Sequence, residues 1–485
     1  MAISKLAEFE PIFFPKTHAV IGASNSMTKF GGRFIRTQIN FGYKGKFFPV
    51  NRDEPEIFGM KAYPRVTDIP EPIDFATILV PAPIVPQVLE ECLAKGVKGA
   101  QIITAGFSER DEEGIKLEKA IAATAKKGIR VIGPNCFGIY CPRGGLTIPP
   151  GENLSKESGS VACISQSGGY GIRIPRRADG LGIRYSKLVS YGNSVDINEC
   201  DLLEYFYEDP ETKIITGYIE GVKDGPRFFE LLKKVCKEKP VIIWKGGLTE
   251  GGARAVKSHT ASLSGQAQVW DALFKQTGAV AVNGIDELMD TTMAFLKLPP
   301  IKGREFCVVG GGGGIGVAAA DACEKAGLPL PVFPRELQQK LLGIVPAQGA
   351  SVRNPVDVGS PFPPPPMLKL VMDAVFTGSD VDSLIVSEIE MSSVVRSPQA
   401  DMSRQEMLSQ NQLAPIEARN KFGKPVIMVL PVESNGSEYA ESESARRRVA
   451  DFYMQQGVPV FLTLERAAIT LSRFISYWEH RDASQ

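Results

Sequence analysis

The stretch VACISQSGGYG, residues 161–171, decides how this chain folds. An apolar run typical of a buried β-strand passes directly into a turn of serine and glycine, after which a helical pattern begins. A strand, a glycine turn and a helix in this order form the repeating unit of parallel α/β domains. The first N–H groups of such a helix have no partner within it and attract anions. The stretch therefore predicts a parallel sheet and a phosphate-binding turn at Ser165, Ser167 and Gly168.

Two further stretches have the same order of elements. One is AVIGASNSMTKFGGRF at residues 19–34, and the other is FCVVGGGGGIGVAAADACEKAGL at residues 306–328. The second contains five consecutive glycines at 310–314. No Lys-Ser or Lys-Thr pair follows these glycines, so this turn is not an ATP-binding P-loop. Each of the three turns is predicted to start a helix whose positive end suits an anion.

The sequence of the turn near residue 22 is compatible with two classes of ligand. The sequence lacks G-x-G-x-x-G, and Asn51 and Arg52 follow the second predicted strand where dinucleotide-binding enzymes place an acidic residue for the ribose. Arg52 and Lys29 suit a ligand that carries extra phosphate, whereas Asp53 keeps NAD as an alternative. A tight turn without a ligand is the third interpretation.

Length, charge and cysteine content exclude several protein classes. At about 150 residues per domain, 485 residues predict about three domains. Lys plus Arg and Asp plus Glu both number 55, and this balance argues against a nucleic-acid partner. The start MAISKLAEFEPIFF resembles no secretory signal, and no apolar run is long enough to span a membrane, so we expect a cytoplasmic protein without a membrane partner. Eight cysteines without a CxxC pair read as buried thiols, and we predict no metal site.

The whole chain alternates short apolar strands with helical stretches, which predicts an α/β fold of three consecutive open parallel-sheet domains. We place the boundaries at 1–150, 151–299 and 300–485, since a Pro/Gly-rich connector precedes the second domain and a proline pair precedes the third. The predicted strands are 18–24, 46–51, 75–82, 99–107 and 129–135; then 160–165, 185–192, 213–220, 240–246 and 278–283; then 305–310, 330–333, 382–390, 424–431 and 458–463.

One histidine has the surroundings of a nucleophile. His259 lies in LTEGGARAVKSHTASLSG, residues 248–265, a predicted loop of small residues that leaves the imidazole exposed. Imidazole is partly unprotonated at neutral pH and can attack a phosphoryl group. Glu220 ends a predicted strand and is a candidate to orient the ring. The alternatives are an ordinary loop histidine and an ordinary acid at a strand end, while His18 and His480 are predicted to serve packing or the surface.

These motifs, in this order, resemble the alpha subunits of succinyl-CoA synthetase and of the ADP-forming acyl-CoA synthetases. HAVIGAS, GYKGKFFPVN, DFATILVPA, ITAGF and GPNCFGI are similar to their CoA-binding domain. SQSGGYG, SYGNSVD, YIEGVKDG and KSHTASLSG are similar to the ligase domain that follows it, and the glycine-rich stretch with NPVDVGS is similar to a third domain. The resemblance implies a Rossmann-like CoA-binding domain followed by two flavodoxin-like domains.

The resemblance also implies a reaction and its residues. Acyl-CoA and phosphate give acyl phosphate and CoA, the phosphoryl group moves to His259, and ADP takes it to form ATP. Glu220 steadies the phosphohistidine. Phosphate is implied at Ser165, Ser167 and Gly168, near Gly311 and Gly312 of the third domain. The residues implied to contact CoA are Gly22, Ala23, Ser24, Lys29, Val50, Asn51, Pro81, Ala82 and Ile103.

Some features depart from the family pattern. SHTASLSG stands where the family usually has SHTGALAG, and Glu388 and Glu390 stand where we expect neutral residues, which puts the acyl pocket or a subunit contact in doubt. No ATP-grasp nucleotide domain follows His480. We therefore expect a separate ATP-grasp beta subunit that holds ATP or ADP with Mg²⁺, in an α2β2 assembly that converts a small carboxylic acid. Two alternatives stay open: an acyl or carbamoyl transferase of the same fold, and a non-catalytic CoA-binding regulator.

Overall fold

A computed structural model describes residues 4–151, 153–260, 266–346, 350–361, 363–387, 389, 402–432 and 436–484, with the main chain alone at 257–260 and 402–409. The chain divides into two compact units, Met1–Leu288 and Met289–Gln485, called unit 1 and unit 2 below. Three sheets of five or six strands are described, two in unit 1 and one in unit 2. The predicted α/β class is confirmed. The division into three domains at residues 150 and 300 stays a prediction.

The first sheet of unit 1 has the strand order of a Rossmann-like domain. Its strands lie in the order β2-β1-β5-β6-β7, all parallel, and a parallel bridge from Val50 to Tyr63 adds a rudimentary strand outside β2. Counted along the chain with this extra strand, the order is 3-2-1-4-5-6. The strands and the small hairpin are β1 (Thr17–Ile21), β2 (Lys46–Val50), β3 (Glu56–Ile57), β4 (Met60–Lys61), β5 (Phe75–Ile78), β6 (Gly99–Ile102) and β7 (Arg130–Ile132). The helices are α1 (Lys5–Phe13), α2 (Phe30–Phe41), α3 (Val85–Lys95) and α4 (Glu112–Ala125).

The second sheet of unit 1 is flavodoxin-like with one added edge strand. Its order is β13-β12-β11-β9-β10-β8, in which only β8 is antiparallel; the parallel part has the order 2-1-3-4-5. The strands are β8 (Gly138–Tyr140), β9 (Val161–Ser165), β10 (Tyr185–Ser190), β11 (Ile214–Ile219), β12 (Val241–Lys245) and β13 (Val280–Val282). The helices are α5 (Gly168–Asp179), α6 (Glu199–Glu208), α7 (Gly225–Val235), α8 (Glu250–Thr260) and α9 (Ala267–Thr277). The next helix, α10 (Ile285–Lys297), begins in unit 1 and continues into unit 2.

Unit 2 contains the third sheet, also in the flavodoxin-like order. The strands lie in the order β15-β14-β16-β17-β18 and are all parallel. They are β14 (Phe306–Gly310), β15 (Val356–Asp357), β16 (Ser383–Ser387), β17 (Val426–Val429) and β18 (Val460–Phe461). The helices are α11 (Gly313–Lys325), α12 (Arg335–Leu342), α13 (Met367–Gly378), α14 (Met402–Phe422), α15 (Ala440–Gln455) and α16 (Leu464–Ala483).

The structure corrects the strand prediction at residues 330–333. These residues belong to no strand, and Val332 is 78% exposed. Pro329 and Pro331 lack the N–H that a strand of a sheet must donate, so β-rich composition alone was misleading here. The position beside β14 is taken instead by the short strand β15, which the sequence interpretation had left out.

A charge network and an aromatic contact connect the two sheets of unit 1. Arg130, at the start of β7, pairs with Asp196 at 2.9 Å and with Asp201 of α6 at 3.5 Å. The ring of Phe13 in α1 stacks on Tyr205 of α6 with centroids 4.7 Å apart. Because these contacts join elements of the first sheet to a helix of the second, the two sheets form one compact unit.

All eight cysteines are free and buried, as predicted. Within the described ranges, no helix is long and apolar enough to cross a lipid bilayer. No three His, Cys, Asp or Glu side chains of the described residues converge as metal ligands do.

Candidate active site

A cavity of about 450 Å³ in unit 1 is lined by the carboxyl ends of strands from both of its sheets. Ile103 and Asn135 come from the first sheet and its last loop, and Ser167, Gly168 and Asn193 come from the second. Ligands of open α/β sheets bind outside the carboxyl ends of the strands. The cavity therefore lies where the fold predicts a site, and it places Ile103, predicted for CoA, beside the predicted phosphate turn.

The turn after β9 is built by its own serines. Ser165 Oγ donates to the carbonyl oxygen of Ser167 at 2.7 Å, and Ser167 caps α5 by accepting from the Tyr170 N–H at 3.4 Å. A Cβ added to Gly168 would lie 2.1 Å from Cδ2 of Phe137. The structure thus uses the Ser165 hydroxyl to shape the turn and requires glycine at 168, while the start of α5 opens into the cavity.

Gln166, between the two predicted serines, ties this turn to the predicted acid. Its N–H donates to the Tyr218 carbonyl at 3.0 Å, and its side-chain oxygen accepts from the N–H groups of Glu220 at 2.8 Å and Gly221 at 3.0 Å. The side chain is buried. The sequence interpretation missed Gln166, although its place between Ser165 and Ser167 was a signal.

Glu220 follows β11 directly and is buried. The Tyr218 hydroxyl donates to its Oε1 at 3.1 Å. A carboxylate buried at a strand end and held in one orientation is suited to orient the ring of a histidine. That role stays a prediction.

His259 lies in a helix and not in the predicted loop. The helix α8 spans Glu250–Thr260 and begins where Thr249 accepts from the N–H of Gly252 at 3.1 Å. The alanines among its residues favour a helix, and this outweighs the glycines at its start. The side chain of His259 and residues 261–265 lie outside the residues that the structure describes.

Two asparagines that the sequence interpretation missed also line the cavity. The side-chain N–H₂ of Asn193 donates to Glu109 at 2.6 Å and to Glu118 at 2.9 Å. These carboxylates accept only, so they fix the orientation of the amide, whose oxygen accepts from Asn135 at 3.3 Å. Burial raises the pKa of the nearby Cys136 thiol to about 12, which disfavours its nucleophilic thiolate form.

A second cavity, of about 210 Å³, lies at the predicted CoA turn. Gly22, Val50 and Asn51 of the predicted CoA residues line it. Gly22 has φ +88°, and a Cβ there would lie 3.1 Å from the carbonyl carbon of Leu79, so the turn requires glycine. The Asn51 amide donates to the Ala23 carbonyl at 2.7 Å and holds the two strand ends together.

The other residues predicted for CoA lie around this turn. Ser24 is buried and its hydroxyl donates to Glu54 at 3.0 Å, while Lys29 is exposed at the start of α2. Pro81 is exposed and Ala82 buried in the turn after β5. The structure thus places all of these residues at the same end of the first sheet, with three of them lining the smaller cavity and Ile103 lining the larger.

The glycine turn of unit 2 is built differently. Gly312 has φ +148° and precedes α11 without a side-chain cap. A Cβ on Gly311 would lie 2.6 Å from the main chain of Pro361, so this segment covers the turn. The carboxylate of Asp357, buried at the end of β15, accepts from the Gly359 N–H at 2.8 Å. Glu388 and Glu390 lie outside the described residues.

Each of the two sheets of unit 1 matches a known family, and together these matches define a CoA-binding protein related to the succinyl-CoA ligases. The family described as "CoA binding domain" matches residues 16–142, and "Succinyl-CoA ligase like flavodoxin domain" matches residues 158–295.

Three relatives match between 72% and 98% of this chain. "Acetate--CoA ligase [ADP-forming] I subunit alpha" of Pyrococcus furiosus is 39% identical over 472 residues, which are 96% of each chain. "Acetate--CoA ligase [ADP-forming]" of Methanocaldococcus jannaschii is 43% identical over 352 residues, 72% of this chain and 49% of that one. The acetyl-coenzyme A synthetase 1 of Candidatus Korarchaeum cryptofilum, solved with phosphate and ADP, has 32% identity and a TM-score of 0.79 over 98% of this chain and 97% of that chain.

The chain belongs to the family of ADP-forming acyl-CoA synthetases, and within it to the alpha subunits. The family and the ligase class that the motifs predicted are thereby confirmed. The CoA-binding domain that matches residues 16–142 favours CoA over the NAD alternative at the first turn.

Proposed function

We propose that this chain is the alpha subunit of an enzyme that interconverts acyl-CoA, phosphate and ADP with a carboxylic acid, CoA and ATP. The observation that supports this most is the cavity of about 450 Å³, which the CoA-binding sheet and the start of α5 line together. A thioester held by the first sheet and a phosphate held at α5 would meet there. The relatives from Pyrococcus furiosus carry this reaction type in their names.

The first step joins phosphate to the acyl group. Phosphate held by the N–H groups of Gly168 and Gly169 attacks the thioester carbonyl carbon, the C–S bond breaks, and CoA leaves as the thiol after it takes a proton. The positive end of α5 stabilises the negative charge of the attacking phosphate. Gly168 and Gly169 have no side chains between these N–H groups and the cavity. Acyl phosphate and CoA are the products.

The second step transfers the phosphoryl group to the chain. A ring nitrogen of His259 attacks phosphorus, the bond from phosphorus to the acyl oxygen breaks, and the carboxylate leaves. Glu220 accepts from the other ring N–H and stabilises the positive charge of the imidazole. The burial of Glu220 and its hydrogen bond from Tyr218 support this role, because both hold the carboxylate in one place. ADP then takes the phosphoryl group to form ATP.

We assign the ADP step to a separate beta subunit of the ATP-grasp type, which would hold the nucleotide with Mg²⁺ in an α2β2 assembly. The Pyrococcus furiosus relatives are named alpha subunits, and the Methanocaldococcus jannaschii relative is matched over only 49% of its length. The additional length of that relative is consistent with a nucleotide-binding part.

The test is intact-mass measurement of the purified chain after incubation with phosphate and a panel of acyl-CoA thioesters that includes acetyl-CoA. We expect wild type and His480→Ala to gain one acid-labile phosphoryl group and His259→Ala to gain none. A wild-type chain that stays unmodified, or a His259→Ala chain modified like wild type, would refute the proposal. Release of CoA without any mass gain would favour the transferase alternative.

A further inference from the structure

Lys245, the last residue of β12, is a buried cation next to Glu220. It is 5% exposed, and its ammonium donates to the carbonyl oxygen of Glu220 at 2.8 Å and also to the carbonyl oxygen of Gly246. The ammonium lies 5.0 Å from the ring centroid of Trp270 in α9. Lys245 thus connects the end of β11, the start of the segment from β12 to α8, and the helix that follows α8.

Burying this ammonium is costly. Burial lowers the pKa of Lys245 to about 8, and the charge of Glu220 opposes that shift. Two carbonyl oxygens and an aromatic face compensate part of the lost hydration. A methionine would fill the same space without that cost, so the charge is expected to have a purpose beyond packing.

The contacts at Glu220 suggest this purpose. Its N–H is held by the side chain of Gln166, and its carbonyl oxygen is held by Lys245. Both main-chain polar groups of one residue are therefore fixed by buried side chains from neighbouring strand ends. A main chain held on both sides of Cα fixes the direction of the Cα–Cβ bond, and the hydrogen bond from Tyr218 then holds the carboxylate that extends from it.

We propose that Lys245 is a positioning residue for phosphoryl transfer, which aims the Glu220 carboxylate by holding the Glu220 carbonyl and the Gly246 carbonyl together. This inference rests on the proposed function of Glu220 and His259. Displacements of about 1 Å at a catalytic group lower rates about 100-fold, so loss of this contact is expected to slow the transfer without weakening CoA binding.

Lys239 provides a matched control. Its ammonium also donates to two main-chain carbonyls, those of Phe206 at 2.9 Å and Asp209 at 2.8 Å, and burial also lowers its pKa. It precedes β12, at the opposite end of the strand from Lys245. Lys239→Met therefore removes the same kind of contact at a place away from the cavity.

The experiment measures the single-turnover rate of phosphohistidine formation, the affinity for CoA by calorimetry and the thermal midpoint for wild type, Lys245→Met and Lys239→Met. We expect Lys245→Met to slow the transfer by about tenfold to 100-fold with CoA affinity within about twofold of wild type. Lys239→Met should transfer at nearly the wild-type rate. Both variants should lower the thermal midpoint.

Equal transfer rates in the two variants would overturn the positioning role. If Lys245→Met does not fold, Lys245→Gln is measured in the same way, because its shorter amide keeps a donor in the buried site but falls short of the Glu220 carbonyl. A wild-type rate in Lys245→Gln would likewise overturn the role. A wild-type chain that never forms phosphohistidine refutes the proposed function itself, which is a distinct outcome.

Discussion

The turn after β9 in unit 1 and the turn after β14 in unit 2 have the same strand, glycine turn and helix, yet different groups stabilise them. In unit 1, Ser167 caps α5, and the side chain of Gln166 accepts a hydrogen bond from the N–H of Glu220 at the end of the neighbouring strand β11. In unit 2, Gly312 precedes α11 without a side-chain cap, and the segment at Pro361 covers Gly311.

The difference shows that a glycine-rich turn alone does not define how an anion is bound. The turn of unit 1 is held by side-chain hydrogen bonds and opens into a cavity, so its N–H groups are oriented before a ligand arrives. The turn of unit 2 has a buried carboxylate nearby, Asp357, which opposes the attraction of the helix end for an anion. Phosphate binding at Gly311 and Gly312 stays a prediction.

The largest effect is expected from removing the hydrogen bonds that the Gln166 side chain accepts from Glu220 and Gly221. Gln166→Leu leaves the N–H groups of Glu220 and Gly221 without this acceptor, which should cost about 2–4 kcal/mol of unfolding free energy and slow phosphohistidine formation. In unit 2, Asn354 bonds Phe306 and Val308 of β14 in a similar way, so Asn354→Leu is the matched variant for stability. Chemical denaturation, followed by hydrogen exchange of peptides from each unit, measures the unfolding free energy of both variants. A Gln166→Leu chain with wild-type stability and transfer rate would contradict the comparison.

Alanine at the start of the helix should destabilise unit 1 and stabilise unit 2. Gly168→Ala places a methyl group against the Phe137 ring and should cost about 1–3 kcal/mol and reduce activity. Gly314→Ala meets nothing within 4 Å and should stabilise unit 2 by about 0.5–1 kcal/mol, since alanine restricts the unfolded chain. Calorimetry of both variants checks the signs. A change in stability with the same sign in both variants would contradict this prediction.

An effect on stability that is absent at neutral pH and grows with acidity distinguishes the units by a buried histidine. Burial lowers the pKa of His18 to about 3, so the folded ring stays neutral while the unfolded ring, with its ordinary pKa of about 6.5, takes up a proton. The stability contributed by this group is complete above pH 6.5 and is lost as the pH falls toward 3, with a slope of up to about 1.4 kcal/mol per pH unit.

His18→Leu should therefore flatten the loss of unit 1 stability between pH 6.5 and 4, whatever its effect on stability at neutral pH. Unfolding followed by hydrogen exchange at several pH values provides the slopes. The slope for unit 2 should not change, and His480→Asn serves as the control. A variant whose unit 1 slope equals that of wild type would show that His18 is charged when folded.

The sequence predicted the architecture well where the pattern was local. Alternating apolar runs and helical stretches located strands such as β9, β12 and β14, because a buried parallel strand is apolar along its whole length. Residues 330–333 were misjudged because composition suggested a strand while the prolines removed the donors. The edge strand β8 was missed because its pairing with β10 is antiparallel and lies outside the repeating pattern.

The candidate site was predicted only in part. Ser167, Gly168 and Glu220 stand next to strand ends, and that position can be read from the chain. Gln166 and Lys245 could not be assigned a role, because the partners of their side chains are residues 54 and 25 positions away. Asn193 likewise depends on carboxylates of the first sheet.

The sequence by itself determined the α/β class, the three glycine turns and the family, since each depends on residues close together in the chain. Only the tertiary structure decided which turn opens into a cavity, which hydroxyl is used within a turn and which buried side chains hold Glu220. These outcomes depend on contacts between strand ends that are distant in sequence. Their hydrogen bonds exist only once the sheet has brought those ends together.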